Sequence, residues 1–118
     1  PPVASALDPL HYLASMAVAQ QREGLESVGP GEGFGDRVVL DVRLSEEVSV
    51  AQVQAPRVVC IPVQEVTARM GELSGRDIVV ICEKGPRSLE VARRLRASGL
   101  KAVRYAAGGR AFRAGELG

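Results

Sequence analysis

Seven consecutive residues, Cys82-Glu83-Lys84-Gly85-Pro86-Arg87-Ser88, hold the reactive side chains of this sequence. Cys82 is a candidate nucleophile because sulfur attacks as thiolate, and a thiolate is favoured where backbone N–H groups, a helix dipole and cationic side chains converge. Lys84 and Arg87 supply positive charge and Glu83 opposes it, so the loop side chains leave one net positive charge. Gly85 lets the backbone approach closely, Ser88 adds a hydroxyl, and Pro86 suits a first helical position although it removes one N–H donor. The amides of Glu83, Lys84, Gly85, Arg87 and Ser88 form a candidate anion cradle. Lys84 and Arg87 are the candidate ligands for a substrate's negative charge.

Such a loop needs a strand before it and a helix after it. Ile78-Val79-Val80-Ile81 is an uninterrupted β-branched run, which reads as a central strand buried on both faces. From Leu89, apolar Val91, Ala92 and Leu95 alternate with arginines at helical spacing, and Gly99 stands where a left-handed cap is wanted. The cysteine therefore sits where a strand passes directly into a helix, whose first N–H groups have no intrahelical partner.

The remaining elements follow in order. Asp8-Pro9 reads as cap and first residue of a helix ending near Gly24, with Leu10, Leu13, Ala14, Ala17 and Val18 as its apolar stripe. His11, the only histidine, is expected on the surface or in packing. Ser27 to Asp36 is glycine-rich and reads as a surface loop, or else as a lid or docking segment near the site. Val38 to Arg43 is a strand, and Arg57 to Ile61 another, in which Cys60 is expected to be a small buried hydrophobe. Pro62 opens a helix with Val63, Val66, Met70 and Leu73 on one face and Glu65 and Arg69 paired on another. Lys101 to Tyr105 is the last strand, followed by Gly108-Gly109 and a short helix containing Phe112. Alternating strands and helices imply a parallel sheet with helices on both faces. Ligands bind beyond the carboxyl ends of such strands, where Arg43, Cys82 and Gly108-Gly109-Arg110 should converge.

The whole chain sets further bounds. Its 118 residues make one domain, 1–36 being the N-terminal helix and glycine-rich loop and 37–118 the core with active loop 82–88. Fifteen basic against fourteen acidic residues gives a net charge of +1, which points to no nucleic acid and no membrane surface. No apolar run approaches the roughly 20 residues of a membrane helix. Two cysteines make no disulfide framework, and a reactive thiol needs a reducing compartment, so a cytoplasmic location and a monomer or weak dimer are expected. No metal or organic cofactor is implied.

Cys82-x-x-Gly85-x-Arg87-Ser88 between a strand and a helix resembles the active loop of rhodanese-type sulfurtransferases. Leu40-Asp41-Val42-Arg43 with Ser45-Glu46-Glu47 resembles that family's strand and acidic turn, and Gly108-Gly109 with Ala111-Phe112 its closing segment. Together these cover Val38 to Leu117. The sequence departs from the family after Glu47, where Ala51-Gln52-Val53 replaces the usual Gly-His-Ile-like turn. The resemblance implies a rhodanese-like fold with a parallel sheet of four or five strands. It also implies sulfur transfer through a Cys82 persulfide, from an anionic donor such as thiosulfate to cyanide, a thiol or a sulfur-accepting protein. Asp41 would orient loop groups and Arg43 would add positive potential for the donor, or the two would form a strand-end ion pair. Gly108, Gly109 and Pro86 would support the loop. One alternative is a sulfur-carrier or protein-binding module without thiosulfate turnover. Another is a cysteine phosphatase or arsenate reductase, although those enzymes place one more residue between cysteine and arginine.

Overall fold

Strand β4, Ile78–Ile81, is buried along its whole length, as its unbroken run of β-branched residues requires. In a computed structural model that describes residues 8–115, it lies at the centre of a five-stranded sheet. The other strands are β1 (Ser27–Val28), β2 (Val38–Asp41), β3 (Val58–Cys60) and β5 (Val103–Ala106), in the spatial order β1-β5-β4-β2-β3. All four pairings are parallel. Register sets Asp41 beside Ile81 and Val80 beside Tyr105, so the chain leaves β2, β4 and β5 at one edge of the sheet. That edge carries the candidate site.

Six helical segments join the strands: α1 (Pro9–Glu23), α2 (Ser45–Val50), α3 (Val63–Val66), a 3₁₀ turn (Met70–Leu73), α4 (Pro86–Ala97) and α5 (Gly109–Arg113). On one face of the sheet, Leu40, Ile78, Val80, Val103 and Tyr105 pack with Val91, Ala92 and Leu95 of α4, Ala19 of α1, Val66 and Leu73. The opposite face packs Val39, Val79 and Ile81 against Phe34, with Val53 and Ala55 at its margin. Arg113 of α5 stacks its guanidinium 4.1 Å from the centre of the Phe34 ring.

Helix α1 begins and ends as its sequence dictates. Asp8 Oδ1 accepts a hydrogen bond from Leu10 N at 2.9 Å, and Gly24 closes the helix in the left-handed region with φ 65°. The buried face, however, is not the expected stripe. Leu10 and Leu13 are 76% and 60% exposed, whereas Ala19 is buried and Tyr12 and Met16 pack against the core. Two stripes at helical spacing overlap on α1. The one that wins ends at Glu23, whose carboxylate accepts two hydrogen bonds from Arg93 of α4.

Three further expectations are corrected. Cys60 is exposed rather than buried, because β3 is an edge strand. The helix expected from Pro62 onward breaks after Val66 and resumes as the 3₁₀ turn, although Val66 and Leu73 are buried and Arg69 pairs with Glu65. The stretch from Ser27 to Asp36 opens with strand β1 rather than being loop throughout. Arg113 holds it by donating to the carbonyls of Gly29 and Glu32.

Candidate active site

Cys82 is the first residue after β4, and its side chain is 1% exposed. Its sulfur lies at the N-terminus of α4. There Gly85 N donates to Sγ at 3.0 Å and Ser88 N donates at 3.3 Å, while the thiol S–H faces Ser88 Oγ at 3.5 Å. The Ser88 hydroxyl donates onward to Gly85 O at 2.8 Å, which holds the loop closed upon itself. Two backbone N–H groups aimed at one sulfur, at the start of a twelve-residue helix, are donors placed to meet negative charge carried by a sulfur there. Gly85 turns its amide inward with φ 113°, and the Tyr12 ring packs so closely against it that a β-carbon there would collide with the phenol.

Tyr12 thus comes from α1 to the loop. Its hydroxyl accepts from Gly108 N at 3.0 Å, bridging α1 to the turn that follows β5. Burial pushes the phenol up to about 12, so its proton stays in place at neutral pH. The same turn grips the loop backbone: Arg110 N donates to Cys82 O at 2.8 Å and Ala111 N to Glu83 O at 3.0 Å. Gly109 carries φ 73° and lies against the peptide between Glu83 and Lys84, where a β-carbon would stand 2.5 Å from Glu83 O. Only glycine meets both constraints.

The charges are paired more completely than the loop residues alone suggest. Arg43 is buried, its Nε donating to Asp41 Oδ1 at 3.0 Å and its Nη2 to Asp41 Oδ2 at 2.8 Å. Its Nη2 also reaches Ala51 O at 2.8 Å, and its Nη1 reaches Glu83 Oε1 at 3.1 Å. Glu83 in turn accepts from Arg110 Nε at 3.0 Å and Nη2 at 2.7 Å. Arg110 first, and Arg43 after it, hold the Glu83 carboxyl below its ordinary range. Arg87 donates through both terminal nitrogens to Glu47, at 3.0 and 2.9 Å, and holds that carboxyl low as well.

The residues singled out in the sequence therefore meet at one edge of the sheet, but in different parts. Cys82, Gly85 and Ser88 surround the sulfur. Asp41 and Arg43 form a buried ion pair under the loop, with Arg43 directed at Glu83 rather than outward. The Glu83 side chain is a strut between Arg43 and Arg110. Pro86 starts α4, Gly108 and Gly109 pack on the loop, Arg87 is engaged by Glu47, and Lys84 is exposed. His11 is exposed, beside a cleft of about 420 Å³ that Tyr12 also lines. Sequence reasoning missed Tyr12, and it named Glu47 within an acidic turn without its pairing to Arg87. Neither pairing carries a local signal, since the partners lie 96 and 40 residues away. Among the described residues, no group of three or more His, Cys, Asp or Glu could hold a metal ion, and no helix is long and apolar enough to cross a membrane.

The sequence profile of the Rhodanese-like domain matches residues 31–111. Among solved structures, the chain is similar to the NAD-dependent persulfide reductase from A. fulgidus, with 34% identity and a TM-score of 0.74, over 91% of this chain and 19% of that one. It is similar to reduced CoADR-RHD from Bacillus anthracis, with 25% identity and a TM-score of 0.78, over 93% and 20%. A human single-domain sulfurtransferase shares 26% identity, with a TM-score of 0.50, over 64% of this chain and 78% of that one. The chain spans about one-fifth of the length of the first two. None of the curated proteins matches it.

Proposed function

The chain belongs to the rhodanese-like domain family, and from that premise we propose that it is a sulfurtransferase working through a persulfide on Cys82. The observation that carries this reading is the pair of backbone amides, Gly85 N and Ser88 N, directed at Cys82 Sγ. They are placed to donate to the attacking sulfur and to hold the charge that remains on sulfur afterwards.

With thiosulfate as donor, the Cys82 thiolate forms a bond to the outer sulfur. The S–S bond of thiosulfate breaks with its electron pair leaving on sulfite, and a Cys82 persulfide anion remains. Cyanide then takes the outer sulfur as thiocyanate, or a thiolate takes it as a new persulfide, and the Cys82 thiolate returns. No net oxidation is required. Lys84 meets the donor's negative charge, while Arg43, Asp41 and Glu83 keep the loop in the shape that presents the two amides. A reducing compartment such as the cytoplasm fits this chemistry, because a free thiolate must survive there.

A second reading is favoured by the likeness to the persulfide reductase from A. fulgidus. Here the domain carries persulfide sulfur on Cys82 for a reductive partner and takes little from thiosulfate. One experiment separates the two. Purified protein is incubated with thiosulfate, then with cyanide, and its intact mass is followed beside Cys82→Ala. Gain of one sulfur atom that cyanide removes, absent in the variant, supports thiosulfate turnover. No gain from thiosulfate, but gain from a preformed low-molecular-weight persulfide, supports the carrier reading. No gain from either refutes both.

A further inference from the structure

Helix α1, Pro9–Glu23, precedes residue 31, where the family match begins, yet one of its side chains reaches the active loop. Tyr12, in the first turn of α1, makes two contacts there. Its hydroxyl accepts from Gly108 N at 3.0 Å, in the turn that leads to Arg110 and Ala111, whose N–H groups grip Cys82 O and Glu83 O. Its ring lies against Gly85, and the three heavy atoms nearest to a β-carbon placed on that glycine all belong to the phenol. Gly85 is the residue whose N–H donates to Cys82 Sγ. Two constraints on the loop thus meet on one side chain.

The surroundings give Tyr12 no substitute. Tyr12 and Pro86 line both of two clefts, of about 420 and 470 Å³, so open space lies on either side of the phenol. The larger, an apolar groove, is walled by Leu13, Met16 and Phe112, with Lys84 also in its lining. Glycine has wide backbone freedom, and at Gly85, with φ 113°, the ring is what stands against it. The far end of α1 is clamped to α4: Arg93 donates to the Glu23 carboxylate, and Arg96 donates to the carbonyls of Glu23 and Gly24. Helix α1 therefore lies along α4, fixed at the end away from the loop, with Tyr12 at the end beside it. Burial above all pushes the phenol up to about 12, so Tyr12 brings no negative charge to the loop at neutral pH.

We infer that Tyr12 is a positioning residue for sulfur transfer: its ring holds Gly85 so that the Gly85 N–H points at the Cys82 sulfur, which makes α1 a working part of the site. The inference rests on the persulfide reading above and adds to it a residue from outside the matched domain. No step of the reaction passes through the phenol, whose proton stays in place.

The test times loading of Cys82 by intact mass, with thiosulfate and with a preformed low-molecular-weight persulfide, in the unmodified protein, Tyr12→Leu, Tyr12→Phe and Met16→Ala. Tyr12→Leu keeps apolar bulk and removes the ring. Met16→Ala truncates a side chain that also packs on the core, one turn further along α1. Tyr12→Leu is expected to slow loading about tenfold, inside the roughly hundredfold that a ~1 Å misplacement costs. Tyr12→Phe restores the rate to within about threefold, because the ring carries the effect, and Met16→Ala keeps it within about twofold wherever the protein is fully folded. Amide hydrogen exchange by NMR supplies a local readout: in Tyr12→Leu the Gly85 amide exchanges faster, while that of Leu95 inside α4 is unchanged. Loading of Tyr12→Leu within twofold, or an unaltered Gly85 amide, overturns the inference. Tyr12→Phe as slow as Tyr12→Leu overturns it too, and so does equal slowing by Met16→Ala, which would assign the effect to the docking of α1 rather than to the ring. Tyr12→Met takes the place of Tyr12→Leu, under the same criteria, if the latter does not fold. Each of these outcomes leaves the persulfide reading standing; absence of loading from either donor in the unmodified protein removes that reading and this inference with it.

Discussion

Replacing Glu83 with glutamine separates the two things that this residue does. The carboxylate is one residue from the nucleophile, opposes the positive charge that an anionic donor needs, and yet ties Arg110 to Arg43. Its side chain is 26% exposed, so it is only partly screened. A hydrogen bond to a charged group contributes about 1.5–3 kcal/mol, and glutamine keeps one accepting oxygen, so the expected loss of stability is about 1–2 kcal/mol. For a chain of this size that is a fall in Tm of roughly 4–8 °C. The pH dependence gives the sign. Because the folded carboxyl is held below its ordinary value of 4.5, its contribution is complete above that value and is lost as pH falls below it. The gap between the two proteins in urea unfolding is therefore full at neutral pH and closes in acid. Activity moves the other way. The backbone of the loop is still gripped by Arg110 N and Ala111 N, and removing a negative charge one residue from the nucleophile raises the local potential. A nearby unit charge is worth at most ~1 kcal/mol in water, less with salt screening, so thiosulfate loading should rise roughly two- to fivefold, most at low ionic strength. Stopped-time intact mass measures it. A fall of loading by more than about tenfold with stability unchanged would refute the reasoning, because an effect above ~1.4 kcal/mol on the reaction alone makes Glu83 a chemical participant.

Gly109→Ala forces a side chain into φ 73° and against the Glu83 carbonyl; a drop of about 2–4 kcal/mol is expected from backbone strain plus overpacking, read as a lower urea midpoint at constant slope, with slower loading as the loop peptide shifts. Arg43→Met leaves the carboxylate of Asp41 buried without its two-point partner. Breaking a buried pair costs about 3–5 kcal/mol against a typical total of 5–15, so a thermal melt should show the largest loss of the set. Cys60 is exposed and Cys82 is buried, so a bulky maleimide should label the native protein once, at Cys60, and Cys60→Ser should abolish labelling while leaving sulfur loading within about twofold, as a surface change does.

The parts of the fold that were legible are those whose signal is local. β4 reads from four β-branched residues in a row, and α4 from the spacing of Val91, Ala92 and Leu95, all three of which are buried. What escaped is set by pairing at a distance. β1 is two residues long inside a glycine-rich stretch and exists because Ser27 and Val28 lie beside Tyr105 and Ala106. The exposure of Cys60 depends on β3 having a neighbour on one side only, which no property of Arg57 to Ile61 encodes. On α1 the sequence offers two apolar stripes, and the one buried is that whose Tyr12, Met16 and Ala19 pack against the core of distant elements.

For the site, the same division has a chemical consequence. Counting Glu83, Lys84 and Arg87 alone gives one surplus positive charge at the loop. The assembled site adds Asp41 and Glu47 as acids and Arg43 and Arg110 as bases, so three carboxylates face four cations and the surplus is again one. The total was readable from seven adjacent residues; its location was not. In the loop sequence Lys84 and Arg87 are both candidates for a donor anion, with Arg87 favoured by its two-point geometry. The fold brings Glu47 from 40 residues away onto that geometry, and the surplus is left on Lys84, which lines an apolar groove that Arg87 does not. A long-range contact thus engages Arg87 and leaves Lys84 as the loop cation with no carboxylate partner among the described residues.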